Sequence, residues 1–440
     1  MLKMNSNLRN FFLWSVVFVG VFISLAAQGA NVSSVAEGLS GRLIVGYQGW
    51  FGCPNDFEDN KNWQHWFVKG VHPAYLTVDL LPSFREIRPE DLCDTGLPRS
   101  NGQGTIKLFS SQNRNVVLTH FRWMRDHEID GAAAQRFVGV LSDPAMQRRS
   151  DHMLKNVQAA AEANNRVFFL VYDVSGANHK TVTEEIRRDW MHLVNDLKLT
   201  DSSAYLRDHG KPVLELWGFG YGDRPGVPEE VTVLIDDLKN GRNGLVAATL
   251  IGGVPTNWRT LAGDSKPGTA WAKLYRSYDV ISPWSVGRFS DEAGVDAFVQ
   301  NFVVPDLAET KRLGLGYMPV IFPGFSWYNL MTNRNKPDQA VLNRIPRHCG
   351  KFLWKQVFSM LDARVDMLYA AMFDEVDEGT ALFPVETSKD KLPVGANMVV
   401  LNQDGCALPD DWYLRVTGEA TKYLHQHKLP PKLLEEVVHP

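Results

Sequence analysis

Four carboxylic acids lie within five consecutive residues in the C-terminal quarter of the sequence: Asp374, Glu375, Asp377 and Glu378. They directly follow residues 368–373, a run of apolar and aromatic side chains. Like charges this close raise one another's pKa values, so that one carboxyl group keeps its proton while another is ionised. Hydrolysis of a glycosidic bond requires such a pair, because the leaving oxygen must be protonated while a second group assists attack at the sugar carbon. The cluster therefore indicates glycosidase chemistry, with an exposed acidic turn or a calcium-binding loop as the alternatives.

Aromatic and amide side chains follow several other apolar segments of the sequence. Sugar rings stack their C–H faces on aromatic planes, and their hydroxyl groups exchange hydrogen bonds with planar polar side chains. The candidate substrate-binding residues are Tyr47, Gln48, Trp50, Asp173, Trp217, Tyr221, Trp284, Trp327 and Asp374. His65, Gln135 and Arg136 add polar groups nearby. For any single aromatic residue of this set, the alternative is a place in the hydrophobic core.

Glu215 is an acid in an unusual position, because it lies in an apolar segment between Leu214 and Leu216. A charged side chain in a protein interior needs a partner. Two roles stay open for Glu215 at this point, namely a structural ion pair and a catalytic group.

Motifs for common cofactors and metal ions are absent from the sequence. It contains no Walker loop, no H-E-x-x-H pair, no nucleophile elbow and no dinucleotide-binding glycine fingerprint. The acidic loop of residues 54–59 lacks the glycine and the bidentate glutamate of an EF-hand calcium site. We therefore expect neither a cofactor nor a bound metal ion.

The elements that must position these residues alternate along nearly the whole chain, as β-branched or aromatic segments followed by amphipathic ones. The predicted strands cover residues 43–50, 131–138, 167–173, 212–219, 245–251, 279–284, 316–322 and 367–373. The predicted helices cover residues 115–127, 145–163, 183–197, 229–238, 270–277, 292–312, 352–363 and 410–425. This alternation predicts an α/β fold, a single (β/α)8 TIM barrel, because right-handed parallel crossovers close into a ring in this order. An open doubly wound sheet is the alternative, but its glycine fingerprint is missing.

The connections from strands to helices are long, whereas those from helices to strands are short. The longest cover residues 51–113, 252–269 and 323–350. In a barrel all strand-to-helix loops emerge at the end that carries the active site. The acidic cluster and the candidate aromatic residues belong to this end. We find no repeat or linker and expect one domain over residues 30–440.

The overall composition excludes several classes of protein. Hydrophobic residues make up 44% of the chain and charged residues 22%, which is typical of a globular protein rather than a disordered or fibrous one. The formal net charge is −4, and no run of Lys or Arg could neutralise a phosphate backbone. We expect carbohydrate as the partner, no nucleic acid, and a monomer.

The N-terminal residues have the pattern of a secretory signal peptide. A basic start precedes an uncharged apolar run over residues 11–27, which small residues follow. Cleavage after Gly29 places Ala27 and Gly29 at the two selective positions, so the predicted signal peptide is residues 1–29. We expect a secreted or periplasmic protein that leaves the membrane after signal removal. The alternative is a membrane anchor formed by an uncleaved N-terminal segment.

The sequence has four cysteines, an even number without C-x-x-C spacing: Cys53, Cys93, Cys349 and Cys406. Export to an oxidising compartment favours disulfide bonds. Three pairings are possible. Pairing Cys53 with Cys93, and Cys349 with Cys406, would staple long loops on the face that carries the acidic cluster. Unpaired buried thiols are the alternative.

Three segments carry a further signal: residues 45–51 (Val-Gly-Tyr-Gln-Gly-Trp-Phe), 210–220 (Gly-Lys-Pro-Val-Leu-Glu-Leu-Trp-Gly-Phe-Gly) and 373–380 (Phe-Asp-Glu-Val-Asp-Glu-Gly-Thr). Together they resemble the glycoside hydrolase family 71/99-like group, which includes endo-α-mannosidases and α-1,3-glucanases. The resemblance spans most of the chain and implies a (β/α)8 barrel. In family 99 two catalytic glutamates stand three residues apart in an Asn-Glu-Trp-His-Glu-Gly-Thr type ending, and family 71 has an Asp and a Glu at the same interval.

The resemblance maps the catalytic pair onto Glu375 and Glu378. It implies that Glu375 is the base that assists the sugar 2-hydroxyl, which attacks its own anomeric carbon, and that Glu378 protonates the leaving oxygen. Asp374, Val376 and Asp377 replace the Asn, Trp and His of the family 99 ending, so the identity of the sugar stays open. Residues three apart on an extended strand face opposite sides. Both carboxyl groups reach the cleft only if the chain bends at Val376-Asp377.

These observations predict a secreted glycoside hydrolase that cleaves an α-linked, mannan-like or glucan-like oligo- or polysaccharide. The alternative is a catalytically silent carbohydrate-binding barrel. A calcium-dependent structural or adhesion module is a third reading of the acidic cluster.

Overall fold

Parallel β-strands alternate with α-helices throughout the computed structural model, which describes residues 36–439. The barrel strands are β1 (Leu43–Tyr47), β2 (Gly131–Phe137), β3 (Val167–Asp173), β4 (Lys211–Trp217), β5 (Thr249–Val254), β6 (Val280–Pro283), β7 (Gly316–Tyr317 with Val320–Ile321) and β8 (Leu368–Ala370). The helices that follow them are α1 (Arg114–Asp126), α2 (Pro144–Asn164), α3 (Val182–Asn195), α4 (Pro228–Asn240), α5 (Thr269–Tyr275), α6 (Glu292–Phe298, Val299–Val303 and Val304–Leu313 in succession), α7 (Lys351–Asp362) and α8 (Trp412–His425). The predicted signal peptide, residues 1–29, lies outside the described residues.

The strands close into a ring. Strands β1 to β6 pair with one another in chain order, all in parallel, and β1 also pairs with β8. The two parts of β7 complete the ring, because Tyr317 pairs with Ile281 of β6 and Val320 pairs with Tyr369 of β8. The prediction of a (β/α)8 barrel is therefore confirmed.

Helix α2 illustrates how local sequence sets the element boundaries. The side chain of Asp143 accepts a hydrogen bond of 2.8 Å from the backbone N–H of Ala145, and Pro144 occupies the first helical position. An N-cap aspartate followed by proline satisfies backbone groups that the first turn of a helix leaves unpaired. The helix ends at Asn165, which adopts a left-handed conformation with φ of 51°.

The fifth strand differs from its prediction, because β5 begins and ends several residues later than the predicted range of 245–251. Its last part contains Gly252 and Gly253, and glycine is depleted in strands. The barrel needs glycine at both positions. A Cβ atom on Gly252 would lie 2.3 Å from the Tyr278 ring, and one on Gly253 would lie 2.3 Å from Trp217. Packing inside the barrel thus overrides the local preference.

The loop after β1 contains buried side chains and a β-hairpin, in which Cys93–Pro98 pairs with Thr105–Leu108. Within it Trp66 is fully buried and donates a hydrogen bond of 3.0 Å from its indole nitrogen to the carbonyl of Phe109. The loop after β7 contains a short helix, Tyr328–Asn333. Both loops therefore form fixed walls at the C-terminal end of the barrel.

Two disulfide bonds join Cys53 to Cys93 and Cys349 to Cys406, with Cα–Cα distances of 6.4 and 6.1 Å. This is the predicted pairing. Each bond tethers a long strand-to-helix loop, after β1 and after β7 respectively. Within the described part of the chain no cysteine is free.

We expect no free thiol in the purified protein under denaturing, non-reducing conditions. Replacing both members of either pair with serine is expected to lower the free energy of unfolding by about 2–5 kcal/mol, because the cross-link restricts the unfolded chain. Thiol titration and denaturant unfolding measure the two effects. Four titratable thiols, or double variants as stable as the wild type, would contradict this prediction.

Arg136 does not line the cleft, contrary to its grouping with the candidate polar residues. Its neighbour Gln135 faces the barrel interior, so alternation along β2 turns Arg136 outward toward the helices. There it is fully buried and contacts Asp189 of α3 through two nitrogens, at 3.0 and 2.5 Å. Asp151 of α2 lies 2.7 Å from the same guanidinium. Arg136 therefore joins β2 to two helices.

Within residues 36–439 no helix combines enough length with enough apolar surface to cross a membrane.

Candidate active site

The acidic cluster lies just beyond the end of β8, where Asp374 and Glu375 directly precede a turn over residues 376–379. The carbonyl of Val376 accepts hydrogen bonds from the backbone N–H groups of Asp79 (2.9 Å) and Leu80 (3.2 Å). The carbonyl of Glu378 accepts one from Ser326 at 2.8 Å. The predicted bend at Val376-Asp377 is thus present, and the loops after β1 and β7 hold it.

Gly379 lets this turn approach the loop after β7 closely. Its φ is +65°, and a Cβ atom at this position would lie 2.8 Å from the backbone nitrogen of Ser326. Any side chain here would be strained and would collide with backbone. The absence of a side chain at Gly379 therefore allows the backbone of Glu378 to pack against Ser326.

Asp374 anchors the loop after β1 and does not reach the cleft. Its carboxyl group is fully buried and accepts hydrogen bonds from the backbone N–H groups of Gln48 (2.7 Å) and Gly49 (2.9 Å). Burial raises its pKa to about 6. Since both carboxyl oxygens are occupied by protein donors, the prediction that Asp374 binds substrate is not supported by its surroundings.

Glu375 is held by two donors. The side-chain amide of Gln48 donates to Oε1 at 2.7 Å, and the hydroxyl of Thr380 donates to Oε2 at 2.9 Å. Burial raises the pKa of Glu375 well above its ordinary value, and the charges of Glu378 and Asp377 add to the effect. The two hydrogen bonds act in the opposite direction, because they stabilise the ionised form.

Glu378 is the most accessible acid of the cluster. It is partly exposed, and no described residue donates a hydrogen bond to its carboxyl group. The pKa of Glu378 is raised to about 7, chiefly by desolvation on burial. The charge of Asp173 also raises this pKa, whereas Arg334 and Arg224 lower it. A carboxyl group that is half protonated near neutral pH and free of protein donors is suited to general acid catalysis.

Asp377 lies between the two glutamates in sequence but is buried. Its Oδ1 atom has no partner among the described residues. Burial first, and then the charge of Glu378, raises its pKa well above the ordinary value. Burial therefore favours the protonated form of Asp377.

Asp173 and Glu215 bring two further carboxyl groups to the same end of the barrel. Asp173 is partly exposed and accepts a hydrogen bond of 2.7 Å from the backbone N–H of Ser175. Its charge raises the pKa values of both Glu215 and Glu378. Asp173 thus lies within electrostatic reach of both glutamates.

Glu215 has no ion-pair partner within residues 36–439, so the reading as a structural ion pair is wrong. It is 2% exposed, and its Oε2 atom makes no hydrogen bond among the described residues. Burial and the charge of Asp173 raise its pKa to about 8. Glu215 is therefore mostly protonated at neutral pH, which removes the need for a cation.

Trp217 and Trp284 form an aromatic wall. They are partly exposed and meet edge to face, with ring centroids 5.4 Å apart. The guanidinium of Arg224 lies over the Trp217 ring at 5.7 Å, and the indole nitrogen of Trp217 has no hydrogen-bond partner in the described part of the chain. Exposed indole surface with an unused donor suits a sugar ring.

Three candidate aromatic residues have other surroundings. Tyr47 is fully buried, and its hydroxyl shares a hydrogen bond of 3.0 Å with His120, so it packs behind the site and cannot contact substrate. Tyr221 is also buried and donates to the carbonyl of Val254 at 2.9 Å, which corrects its assignment in the same way. Trp327 is partly exposed and donates to the carbonyl of Gln339 at 2.9 Å, so its role stays a prediction.

Trp50 lies at the cleft, but its ring faces are covered. His65 stacks on one side at 4.1 Å between centroids, and Phe137 stacks at 5.2 Å. The indole nitrogen of Trp50 has no partner among the described residues. Trp50 thus lacks the free stacking surface that the sequence suggested.

A cavity of about 360 Å³ opens beside the acidic cluster, between the loop after β1 and the start of α2. We call it the glutamine cavity, because four glutamines line it: Gln48, Gln64, Gln112 and Gln135. Phe137, Met146 and Met153 provide apolar surface. Its volume lies within the range of pockets that bind small molecules.

The sequence patterns do not single out three neighbours of the acids, Arg224, Arg334 and Asp79. Asp79 is fully buried and accepts hydrogen bonds from Ser326, Tyr328 and Asn329 of the loop after β7. None of these residues belongs to a recognisable local pattern. Only the loop packing brings them to the end of β8.

Two solved structures are similar to this one. The structure of the GH99 endo-alpha-mannosidase from Bacteroides thetaiotaomicron in complex with Bis-Tris propane has a TM-score of 0.62 and 14% identity, over 88% of this chain and 98% of that chain. A second structure of the GH99 endo-alpha-mannosidase from that organism has a TM-score of 0.61 and 14% identity, over 89% and 99% of the two chains. No family model and no curated protein matches the sequence. The likeness extends over nearly the whole barrel and concerns its fold.

Proposed function

We propose that this protein is a glycoside hydrolase of the family 71/99-like group, which cleaves an α-linked oligo- or polysaccharide. The observation that carries the proposal is the pair Glu375 and Glu378. Glu375 directly precedes the turn that contains Glu378, both have raised pKa values, and Glu378 is partly exposed. The likeness of the fold to a GH99 endo-alpha-mannosidase supports the same reading.

The hydrogen bonds around the pair suggest separate roles. Two like charges so close share one proton near neutral pH. We place this proton on Glu378, because Gln48 and Thr380 both donate to Glu375 and no described residue donates to the Glu378 carboxyl group. Glu378 is then the general acid and Glu375 the base.

The resemblance to family 99 suggests the following balanced step. The sugar 2-hydroxyl loses its proton to Glu375, and its oxygen forms a bond to the anomeric carbon. At the same time the bond from that carbon to the leaving oxygen breaks, and Glu378 transfers its proton to the leaving oxygen. Water then opens the strained ring, with the two carboxyl groups acting in the reverse direction.

Substrate class and location belong to the same proposal. Mannan-like and glucan-like α-linked polymers are the substrates that the sequence resemblance favours. We also propose that the protein is secreted after removal of residues 1–29. The two disulfide bonds support an oxidising compartment.

A substrate screen tests the proposal directly. The purified protein is incubated with α-mannan, α-glucan and N-glycan substrates, and released reducing ends are measured. We expect cleavage of at least one of them. Binding of these glycans without any release of reducing ends would favour the silent carbohydrate-binding barrel instead.

The pH dependence of activity follows from the pKa of Glu378. As the general acid, Glu378 must carry its proton, so kcat/KM is expected to fall as the pH rises through about 7. Arg334 lowers this pKa, because a nearby cation favours the ionised form. Arg334→Met is therefore expected to move the alkaline limb to higher pH. A limb that stays in place in this variant would contradict the assigned role.

A further inference from the structure

The glutamine cavity carries no net charge. Arg149 is the only lining residue with a permanent charge among those described, and it forms a two-point ion pair with Asp56, with both N–O distances at 2.8 Å. Desolvation of the His65 ring and the charges of Arg334 and Arg149 lower the pKa of His65 to about 4. The His65 side chain is therefore neutral near pH 7. The cavity therefore offers no charge to hold an anion or a cation.

Two of the four glutamines have a buried side-chain oxygen without a hydrogen-bond partner among the described residues. Gln64 donates to Asn60, and the Gln112 side-chain oxygen pairs with the His152 ring at 2.9 Å. The side-chain oxygens of Gln48 and Gln135, in contrast, are buried and accept no hydrogen bond from any described residue. Buried polar atoms are nearly always paired, so two unpaired acceptors beside one cavity indicate a ligand with hydroxyl donors.

Gln48 connects this cavity to the acidic pair. Its amide N–H donates to Glu375 at 2.7 Å, while its oxygen is the unpaired acceptor. A donor bound to an amide oxygen polarises the amide and strengthens the hydrogen bond that its N–H makes. A stronger hydrogen bond to the carboxyl group favours its ionised form.

We propose that the glutamine cavity is a subsite for one uncharged sugar ring, and that Gln48 couples its occupancy to the ionisation of Glu375. The proposal rests on the glycosidase function proposed above. Hydroxyl groups of the ring donate to the oxygens of Gln48 and Gln135, and its C–H groups contact Phe137, Met146 and Met153. Part of the binding energy gained in the cavity then favours the ionised form of Glu375, which raises kcat rather than only lowering KM.

Methionine variants separate the two parts of the proposal, because methionine preserves length and removes the amide. Gln135→Met is expected to raise KM about threefold to tenfold, the effect of one lost hydrogen bond, with kcat nearly unchanged. Gln48→Met is expected to lower kcat as well and to move the acid limb of kcat/KM to higher pH, because Glu375 loses a donor. The matched control is Gln158→Met on α2, whose amide donates to Glu162 at 3.1 Å away from the cavity.

Substrate variants test the charge selection. An oligosaccharide that carries a sulfate or a carboxylate on the ring in the cavity should be cleaved at least tenfold more slowly than its neutral counterpart. Equal rates for the two substrates would overturn the proposal. So would a Gln48→Met variant with wild-type kcat and an unmoved acid limb.

Calorimetry measures the binding of an oligosaccharide directly, so it tests the subsite even if no glycan is cleaved. If the wild type cleaves no glycan, the proposed function fails, but the subsite still predicts that a neutral oligosaccharide binds and that Gln135→Met weakens this binding about threefold to tenfold. Unchanged affinity in Gln135→Met, with an unchanged melting temperature, would overturn the subsite.

Discussion

Replacing Glu378 with glutamine is expected to lower kcat by about 10²–10⁴-fold, which is the contribution of general acid catalysis. Glutamine keeps the size of the side chain but has no proton of suitable acidity for the leaving oxygen. Substrate affinity should change little, because the described residues make no hydrogen bond to the Glu378 carboxyl group that the substitution would break. Kinetics on an unactivated glycan and calorimetry with the same glycan measure the two effects.

Asp377→Asn is the matched control for this experiment. Asp377 lies next to Glu378 and has a raised pKa, but it is buried and matches no catalytic position of the family pattern. We expect it to retain activity within about tenfold of the wild type, since its removal leaves the proton of Glu378 in place. Near-normal turnover by Glu378→Gln, or equal losses in the two variants, would contradict the assignment of the acid.

Replacing Arg136 with methionine is expected to lower the free energy of unfolding by about 3–5 kcal/mol, because it breaks a buried ion pair and leaves the partners uncompensated. Arg136 is fully buried, and Asp189 is 2% exposed. Asp189 also accepts a hydrogen bond of 2.8 Å from the Tyr172 hydroxyl, which ties the same group to β3. Equilibrium unfolding in denaturant measures the loss.

Arg122→Met provides the comparison, because Arg122 forms an exposed ion pair with Glu86 at 3.0 Å. Exposed pairs contribute about 0–1 kcal/mol, so this variant should be nearly as stable as the wild type. If the Arg136 variant lost no more stability than the Arg122 variant, the network would not join β2 to the helices as described.

The order and type of the barrel elements were predictable because each has a local cause. Helix α2 is marked by Asp143 and Pro144 at its start, and the strands are short apolar segments of the right length. The strand that was misplaced, β5, is the one whose end contains Gly252 and Gly253. Their reason for being glycine is the bulk of Tyr278 and Trp217 from other parts of the chain.

Side-chain direction was less predictable than position along a strand. Tyr47 and Arg136 stand at the predicted end of the barrel, but both point toward the helix layer. Asp374 stands beside the proposed catalytic pair yet bonds the backbone of Gln48 and Gly49. A local pattern shows that a residue reaches this end, whereas the tilt and twist of the closed barrel decide which side it faces.

The sequence by itself determined the barrel and the acidic cluster after β8, because both depend on residue type and spacing along the chain. For the four cysteines it limited the disulfide pairing to three possibilities. Only the tertiary structure decided that Glu215 has no cationic partner among the described residues, that Gln48 and Thr380 donate to Glu375, and that Arg334 lies near Glu378. Apart from the Thr380 hydrogen bond, which joins residues five apart, these facts depend on segments that are far apart in sequence. Burial and such contacts set the pKa values of the acids, and no local pattern of residues encodes them.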